Sequence, residues 1–260
     1  MFDYSSEGAA GARVAVAMAN SDTKELESQA AVDGALFRQL VADGYDQCAE
    51  AYLQTHAAHD PDDMRAEPFA QLLATLSEGA HVLDAGCGAG VPIAKAVVDD
   101  PRQMRVTGVD ISKRQIELAN ELVPSERATF ICGDMSNVAF QNESFDAVCA
   151  FFAVFHIPRR DHEAFFKRVA AWLRPGGSFV FNLGSGLDDG EGDCGLETDF
   201  LGATMVWSSH SRDVTTALLK SAGLSVVKEE LKTVTAGDSV DEAGLKFRFY
   251  YCRKPRTEAL

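Results

Sequence analysis

The feature that most constrains the fold is a short apolar segment that runs directly into three alternating glycines. Residues 81–85 have the length and apolar character of a buried strand. Gly86, Gly88 and Gly90 follow, and glycine permits a tight turn and the close approach of a ligand to the backbone. Residues 91–98 then predict a helix, whose first turn offers free N–H groups. Strand, glycine turn and helix in this order indicate a ligand site in an α/β fold.

Strands and helices alternate through the rest of the chain. Further apolar strands are predicted at residues 105–110, 128–132, 145–151 and 178–182, with helices at 91–98, 115–122 and 162–173. This alternation is typical of a doubly wound parallel sheet. Two more strands, 224–231 and 245–252, have no helix between them and predict an antiparallel pair at one sheet edge. We therefore expect an α/β fold with a doubly wound, mostly parallel seven-stranded sheet and an antiparallel C-terminal strand pair.

The regions around this core have a different character. Residues 1–22 are rich in Ala, Gly and Ser without a clear period, which predicts a flexible tail. Residues 23–78 predict a helical cap, divided by Asp43-Gly44 and by Asp60-Pro61. Residues 79–260 form the predicted core, so 23–260 is expected to be one domain. Within it, 183–210 is predicted to be a loop or lid, because six glycines lie among acidic residues in 183–202.

Composition narrows the classes of partner. The 39 acidic and 24 basic residues leave a net charge of −15, which repels a nucleic-acid backbone or an anionic membrane surface. We therefore expect no nucleic-acid and no membrane partner. Residues 1–11 contain two acids and no basic residue, unlike a secretory or mitochondrial leader, which favours a cytoplasmic location. The six cysteines lack C-x-x-C or zinc-ligand spacing, so no metal site is expected.

The glycine segment resembles the first motif of the class I S-adenosylmethionine-dependent methyltransferases, Asp/Glu-x-Gly-x-Gly-x-Gly. Asp84, Gly86, Gly88 and Gly90 match this motif in full. The alternative is the G-x-G-x-x-G turn of nicotinamide oxidoreductases, but its third glycine would fall at Val91. Segments 143–148 and 173–180 resemble later motifs of the methyltransferases in order and spacing. The resemblance covers residues 45–184 well and points to the small-molecule branch of the family.

The resemblance implies a binding site for S-adenosylmethionine, with S-adenosylhomocysteine as the product. Asp110 ends the second strand, where a carboxylate accepts the two ribose hydroxyls. Ile111 would lie against the adenine and Asp134 would accept from its amino group. Met135 would supply a backbone contact, and its polarizable side chain would line the site.

An N-terminal tyrosine pattern also resembles the family. Tyr45, Asp46, Ala49 and Tyr52 match the Tyr-Asp-x-x-Ala-x-x-Tyr pattern that precedes the core in many relatives. The resemblance implies that Tyr45 contacts the methionine carboxylate of the cofactor. The alternative is that both tyrosines pack the cap on the sheet. Phe151, after the fourth strand, is expected to line the methionine end of the site, with core packing as its alternative.

Two histidines are candidates for a general base. Methyl transfer from a sulfonium is an in-line displacement, in which the protein aligns the acceptor and excludes water. A general base helps a hydroxyl acceptor, whereas an amine or a thiolate needs none. His156 follows the fourth strand and has a side chain that titrates near neutrality. His210 is the second candidate, and the alternative for His156 is a hydrogen bond to the backbone.

Four further residues are candidates for the acceptor site. Phe152 and Phe155 follow the fourth strand, and each has core packing as an equal alternative. Met205 and Trp207 belong to a Met-x-Trp-Ser segment that resembles part of uncharacterised small-molecule methyltransferases. That resemblance implies that both side chains cover the pocket and face the acceptor. The alternative is a loop that is anchored on the sheet through Trp207.

The predicted function is methyl transfer from S-adenosylmethionine to an O or N atom of a small-molecule metabolite. One alternative keeps the fold and the cofactor but has a non-methylating role, as a cyclase or an inactive partner. Another is a protein methyltransferase. A nicotinamide oxidoreductase is disfavoured by Val91 and by the paired C-terminal strands. The sequence names neither the acceptor nor the oligomeric state.

Overall fold

The structure, a computed structural model, describes residues 24–26, 28, 33–56, 63–185, 195–234 and 245–256. Its nine described strands are β1 His81–Ala85, β2 Arg105–Asp110, β3 Ala128–Cys132, β4 Phe145–Ala150, β5 Leu173–Ser185, β6 Gly195–Phe200, β7 Ala203–Trp207, β8 Ser225–Val234 and β9 Leu245–Arg253. The principal described helices are α1 Gly34–His56, α2 Ala66–Leu73, α3 Ile93–Asp99, α4 Lys113–Leu122, α5 His162–Trp172 and α6 Arg212–Ser221.

Seven of these strands form one sheet in the order β3-β2-β1-β4-β5-β9-β8. The pairs from β3 to β5 are parallel, whereas β9 is antiparallel to both of its neighbours, β5 and β8. The predicted doubly wound, mostly parallel seven-stranded sheet with an antiparallel C-terminal pair is therefore confirmed. The chain order reverses between β1 and β4, and in such sheets the ligand crevice lies beyond the carboxyl ends of the strands at this point.

Each face of the sheet carries its own apolar core. Side chains alternate along a strand, so Leu83 and Val82 of β1 point to opposite faces and belong to different clusters. One cluster contains the buried faces of α5 and α6, and the other contains those of α2 and α3. Because both faces are covered, the central strands are almost continuously buried, as is typical of parallel sheets.

The helical cap is less divided than the sequence predicted. Asp43-Gly44 does not end a helix, because α1 continues from Gly34 to His56. A Cβ atom built on Gly44 would lie 2.6 Å from the carbonyl oxygen of Thr204 and 2.9 Å from Cε of Met205. Glycine at this position therefore allows the backbone of β7 to approach the helix, which a purely local interpretation of the glycine does not detect.

The predicted loop at residues 183–202 is also more regular than expected. Strand β5 extends to Ser185, and residues 195–207 form the antiparallel pair β6–β7, here called the β6–β7 hairpin. Val206 packs with Phe37 and Val41 of α1, so the hairpin is anchored on the cap. Residues 186–194 and the predicted tail at 1–22 lie outside the described residues, and the proposed division of the chain into cap and core stays a prediction.

No helix within the described ranges is long and apolar enough to cross a membrane.

Candidate active site

The glycine turn after β1 adopts a backbone that suits glycine alone. Gly86, Gly88 and Gly90 have φ angles of 79°, 51° and 75°, in the left-handed region that disfavours larger residues. A Cβ atom on Gly86 would lie 2.3 Å from Cβ of Ala153, so the turn packs directly against the segment after β4. The N–H groups of Gly86 and Cys87 both donate to the carbonyl of Val109, at 2.7 and 3.0 Å, which ties the turn to β2.

The end of β2 supplies a buried carboxylate beside this turn. Asp110 accepts hydrogen bonds from the backbone N–H of Gly88 at 2.8 Å and from that of Ser112 at 2.9 Å. Burial raises the pKa of Asp110 to about 6, and these hydrogen bonds oppose the shift. A carboxylate that two backbone donors hold at the cleft wall is positioned to accept ligand hydroxyl groups.

The first turn of α4 places an unpartnered amide in the same region. Ser112 caps α4 by accepting from the backbone N–H of Gln115. A Gln three residues after such a cap usually reaches back to the cap N–H. Here Asp110 already accepts that N–H, and the amide of Gln115, only 1% exposed, has no partner within the described part of the chain. The side chain lines the cleft and is available to a ligand.

Asp84 is a second buried group with unused hydrogen-bonding capacity. It is 2% exposed, and its Oδ1 accepts a weak hydrogen bond from Sγ of Cys149 at 3.6 Å. Its Oδ2 has no partner among the residues that the structure describes. Burial raises the pKa of Asp84 to about 7, while the positive charge of Arg65 acts in the opposite direction. An isolated buried carboxylate is costly, so this position is expected to favour a positively charged ligand group.

The glycine turn, Asp110 and Gln115 form part of one cleft. Its empty volume, including the mouth open to solvent, is about 830 Å³, which is within the usual range for small-molecule sites. The cleft lies between α1, the carboxyl ends of β1 and β2, and the segments after β3 and β4. It is lined mainly by apolar and aromatic side chains, including Val41, Tyr45, Tyr52, Leu53, Val91, Ile111, Met135, Phe151, Phe152 and Ile157.

Arg38 of α1 is bonded to a carboxylate that lines the cleft. Its guanidinium group donates to Asp134, which lines the cleft, and to Asp161 in the turn before α5. The carboxylate of Asp134 also accepts from the side chain of Asn137 and from two donors of Ser136. The predicted bond from Asp134 to an adenine amino group would therefore compete with several existing donors. Arg38 was not predicted from the sequence, because its two partners are distant along the chain.

Tyr45 and His156 both line the cleft and contact each other. The hydroxyl of Tyr45 lies 2.9 Å from Nε2 of His156, and Nδ1 of His156 lies 2.9 Å from the carbonyl oxygen of Val206. A carbonyl can only accept, so Nδ1 carries a proton. Burial lowers the pKa of His156 to about 4, so the ring is neutral at pH 7 and its Nε2 accepts from Tyr45. Burial also raises the pKa of Tyr45 well above its ordinary value.

The other predicted site residues fall into two groups. The cleft is lined by the predicted cofactor contacts Tyr45, Gly86, Gly88, Asp110, Ile111, Asp134, Met135 and Phe151, and by the predicted acceptor contact Phe152. Asp84 lies beneath the turn, and Gly90 packs against Phe130 and Val123 of the core.

Besides Asp84 and Gly90, four further predicted residues lie outside the cleft lining. Met205 is fully buried against α1, where it packs with Cys48. The rings of Phe155 and Trp207 contact each other, and the ring of Trp207 also packs against the ring of His156. His210 is bonded through Nε2 to the carbonyl of Arg159 at 3.0 Å and packs beside His162. These are packing and hydrogen-bonding contacts within the protein, and the predicted roles of these residues toward an acceptor stay predictions.

Sequence reasoning missed Arg65 and Gln115, both of which line the cleft. Arg65 precedes α2 and is held by the carboxylate of Asp63, at 2.9 Å from Nε. Nothing in the local pattern around Arg65 marks it, whereas Gln115 had a signal in its capping position. Within the described ranges, no three His, Cys, Asp or Glu side chains converge as candidate metal ligands.

The residues of the cleft fit an adenosine-containing cofactor. A glycine turn leaves room for the ligand beside the backbone, a hydroxyl-accepting carboxylate ends β2, and two buried polar side chains have unused capacity. A doubly wound sheet with such a cleft at its switch point defines an enzyme of the nucleotide-cofactor-binding α/β class.

Comparisons with known proteins identify the branch of that class. Residues 82–177 match the family model described as a methyltransferase domain. The chain is 29% identical over 219 residues to methyltransferase GfsG of Streptomyces halstedii, which covers 74% of this chain and 75% of the relative. It is 36% identical over 107 residues to 27-O-demethylrifamycin SV methyltransferase of Amycolatopsis mediterranei, which covers 39% of this chain and 38% of that enzyme.

A solved structure extends the likeness to the fold. The [4+2]-cyclase SpnF superposes with a TM-score of 0.64 at 15% identity, covering 85% of this chain and 97% of that chain. At this identity the match concerns the fold alone. Together, the matched domain, the named relatives and the fold support a class I S-adenosylmethionine-dependent methyltransferase.

Proposed function

We propose that this enzyme methylates a hydroxyl oxygen of a small, largely apolar molecule. The observation that carries the proposal is the neutral Tyr45–His156 pair at the cleft, because a hydroxyl acceptor gains most from a positioned base. The name of the rifamycin relative, 27-O-demethylrifamycin SV methyltransferase, agrees with transfer to oxygen. Because the match covers only 38% of that enzyme, it supports the proposal without identifying an acceptor.

The cofactor would be held at the glycine turn. Asp110 and the free amide of Gln115 are suited to the ribose hydroxyls, since both line the cleft beside Gly88. Asp84 and Arg65 provide a carboxylate and a guanidinium group of opposite charge, which suit the ammonium and carboxylate groups of the methionine part. When bound, S-adenosylmethionine supplies a methyl group on a positively charged sulfur that leaves as a neutral thioether.

The chain itself would remove the proton of the acceptor hydroxyl. Nε2 of His156 holds the proton-accepting lone pair, and the hydroxyl of Tyr45 donates to it. An acceptor hydroxyl that donates to the oxygen of Tyr45 can pass its proton to Tyr45 as the Tyr45 proton passes to His156. If the acceptor displaces Tyr45, its hydroxyl can instead pass the proton directly to Nε2 of His156, with the same overall transfer of one proton. The product is a protonated His156, whose Nδ1–H continues to donate to Val206.

The lining of the cleft favours an acceptor with a large apolar surface. Tyr52, Leu53, Phe151 and Phe152 present rings and aliphatic groups to the cleft, and the lining acids Asp110 and Asp134 lie toward the proposed adenosine end. With a net charge of −15, a nucleic-acid acceptor is disfavoured on electrostatic grounds. We therefore place the acceptor among small molecules, with the proton-bearing oxygen directed at Tyr45.

The test is transfer of a radiolabelled methyl group from S-adenosylmethionine to a panel of apolar phenols, alcohols, amines and thiols. We expect transfer to hydroxyl acceptors, with a loss of about 100-fold or more in kcat for His156→Gln. His210→Gln removes a histidine outside the cleft and should cause a much smaller loss. Equal activity of His156→Gln and the wild-type enzyme, or transfer to amines alone, would contradict the proposed oxygen acceptor. Cofactor binding without transfer to any acceptor class would favour the non-methylating alternative.

A further inference from the structure

The end of β7 holds the turn that carries His156. This turn, Val154–His156, is a single 3-10 turn with no long-range sheet pairing of its own. The N–H of Ser208 donates to the carbonyl of Phe155 at 2.7 Å, and the hydroxyl of Ser208 donates to the carbonyl of Ile157. Between these contacts, the carbonyl of Val206 accepts from Nδ1 of His156 at 2.9 Å. Two residues of the turn and Ile157 directly after it are therefore bonded to Val206 of β7 and to Ser208 just beyond the strand.

The same strand also bears on the helix that carries Tyr45. Thr204 and Met205 lie against Gly44, where a Cβ atom would be 2.6 Å from the carbonyl oxygen of Thr204. Met205 is fully buried, and Tyr45 packs on its cluster. The ring of Phe200, from β6, contacts the ring of Tyr45 with centroids 6.3 Å apart. The β6–β7 hairpin thus contacts both partners of the Tyr45–His156 pair.

The contact with Val206 has a chemical consequence. The two neutral tautomers of histidine differ in which ring nitrogen can accept a proton, and a hydrogen bond to the other nitrogen selects between them. A carbonyl at Nδ1 selects the Nδ1–H form and leaves the lone pair of Nε2 directed at Tyr45. A rotation of the turn that broke this contact would allow both neutral tautomers of His156.

We propose that the β6–β7 hairpin positions the proton-accepting pair, and that Ser208 is the positioning residue that keeps His156 in the Nδ1–H form beside Tyr45. The inference rests on the proposed function for its purpose, but the tautomer is a property of the protein alone. Ser208 is 1% exposed, and its N–H and hydroxyl contact the backbone on either side of His156 rather than the ring of His156. Its hydroxyl also lies 3.3 Å from Nε2 of His162. Ser208 therefore affects Nε2 of His156 only by holding the backbone around that residue.

The surroundings of His156 leave the hairpin as the principal determinant of its state. The titratable group in contact with the ring is Tyr45 of α1, and the ring of Trp207 lies over the opposite side with centroids 4.6 Å apart. Glu197 of β6 bonds to Trp207, and burial raises its pKa to about 7. Nothing in this set selects a tautomer except the carbonyl of Val206.

The experiment is nitrogen-15 NMR of the histidine rings in the protein without added ligand, with the His156 signals assigned by their loss in His156→Gln. The wild-type ring is expected in the Nδ1–H form, unprotonated down to about pH 5. In Ser208→Ala we expect a mixture of both tautomers and protonation at a higher pH. Ser209→Ala is the matched control, because Ser209 is equally buried but its hydroxyl donates to Gly184 and away from the turn.

Each outcome bears on the proposal. A wild-type ring in the Nε2–H form, or a Ser208→Ala spectrum identical to wild type, overturns it. Binding of S-adenosylhomocysteine, measured by calorimetry, should stay within about twofold in Ser208→Ala, which shows that the variant is folded. If Ser208→Ala does not fold, Gly44→Ala disturbs the hairpin at its contact with α1. It should give the same mixture of both tautomers. These measurements need no acceptor. They can therefore contradict the positioning role of Ser208 while methyl transfer to oxygen is observed, and they can support that role when no such transfer is observed.

Discussion

The hydroxyl of Tyr45 lies 2.9 Å from Nε2 of His156, although the two residues are 111 positions apart in the chain. One partner comes from the helical cap and the other from the turn after β4, so the pair exists only when cap and sheet are packed together. Burial keeps the tyrosine protonated and the histidine neutral at pH 7. A neutral imidazole that accepts from a phenol is ready to take one proton, which is the requirement of a hydroxyl acceptor.

The first prediction concerns the phenol. Tyr45→Phe keeps the ring contacts but removes the proton path to His156, so kcat should fall by about tenfold to 100-fold for a hydroxyl acceptor. Tyr251→Phe is the control, because its hydroxyl contacts Glu230 at the sheet edge. Steady-state kinetics at saturating cofactor measure both variants. Unchanged kcat in Tyr45→Phe would contradict a role for the phenol in proton transfer.

The second prediction concerns the carboxylate at the end of β2. Asp110→Ala removes the acceptor proposed for the ribose hydroxyls and also frees the N–H of Gly88. We expect at least tenfold weaker binding of S-adenosylhomocysteine, about 1.4 kcal/mol, by calorimetric titration. Asp213→Ala, whose side chain is 91% exposed on α6, should bind as the wild-type protein does. Wild-type affinity in a folded Asp110→Ala protein would remove Asp110 from the cofactor site.

The third prediction separates stability from binding at Asp84. Its pKa is raised from 3.8 to about 7, so the folded chain favours the protonated carboxyl. The stability that this preference contributes is complete below pH 3.8 and is lost as the pH rises through about 7. Asp84→Asn imitates the protonated form, so its Tm without ligand should exceed the wild-type Tm by ~2 °C or more at pH 8. The difference should become smaller toward pH 5 and vanish below pH 3.8, where the carboxyl is protonated in both the folded and the unfolded chain.

The same substitution should weaken the binding of S-adenosylhomocysteine, because it removes the charge proposed to face the ammonium group. Asp99→Asn, a surface helix position, is the control for both measurements. A Tm difference that does not change between pH 5 and pH 8 would show that the Asp84 carboxyl titrates normally.

Much of the site could be predicted because its signals are local. The glycine turn, the strand-end position of Asp110 and the cap at Ser112 depend on neighbours a few residues away, and the structure contains all three. The sheet followed from apolar segments of suitable length, since strands buried on both faces leave a clear pattern.

The remainder depends on contacts between distant segments. Gly44 was interpreted as a helix break, although its role is to admit the backbone of Thr204. The β6–β7 hairpin was expected to be a loop, because short strands among glycines and acids lack a distinct period. Met205 was placed at the pocket by a family resemblance and His210 by residue type, but Met205 is buried against α1 and His210 is bonded to backbone. Chemistry alone does not show which side of a segment faces a cleft.

A fourth prediction concerns Arg38, which links α1 to the segments after β3 and β4. Arg38→Met keeps much of the side-chain volume but removes both ion pairs. We expect faster amide hydrogen exchange in residues 34–45 and faster release of S-adenosylhomocysteine, because this helix carries cleft residues Val41 and Tyr45. Gln39→Ala, which affects only an exposed contact with Asp43, should change neither rate. Wild-type exchange in Arg38→Met would show that the cap is held elsewhere.

The central claim is that the cleft beside the glycine turn binds the adenosine and methionine parts of S-adenosylmethionine. It is tested most directly by calorimetric titration of the protein with S-adenosylmethionine, S-adenosylhomocysteine and NAD under the same conditions. The account predicts micromolar binding of the first two, at one site per chain, and no binding of NAD. Binding of NAD, or of none of the three by the folded protein, would contradict it.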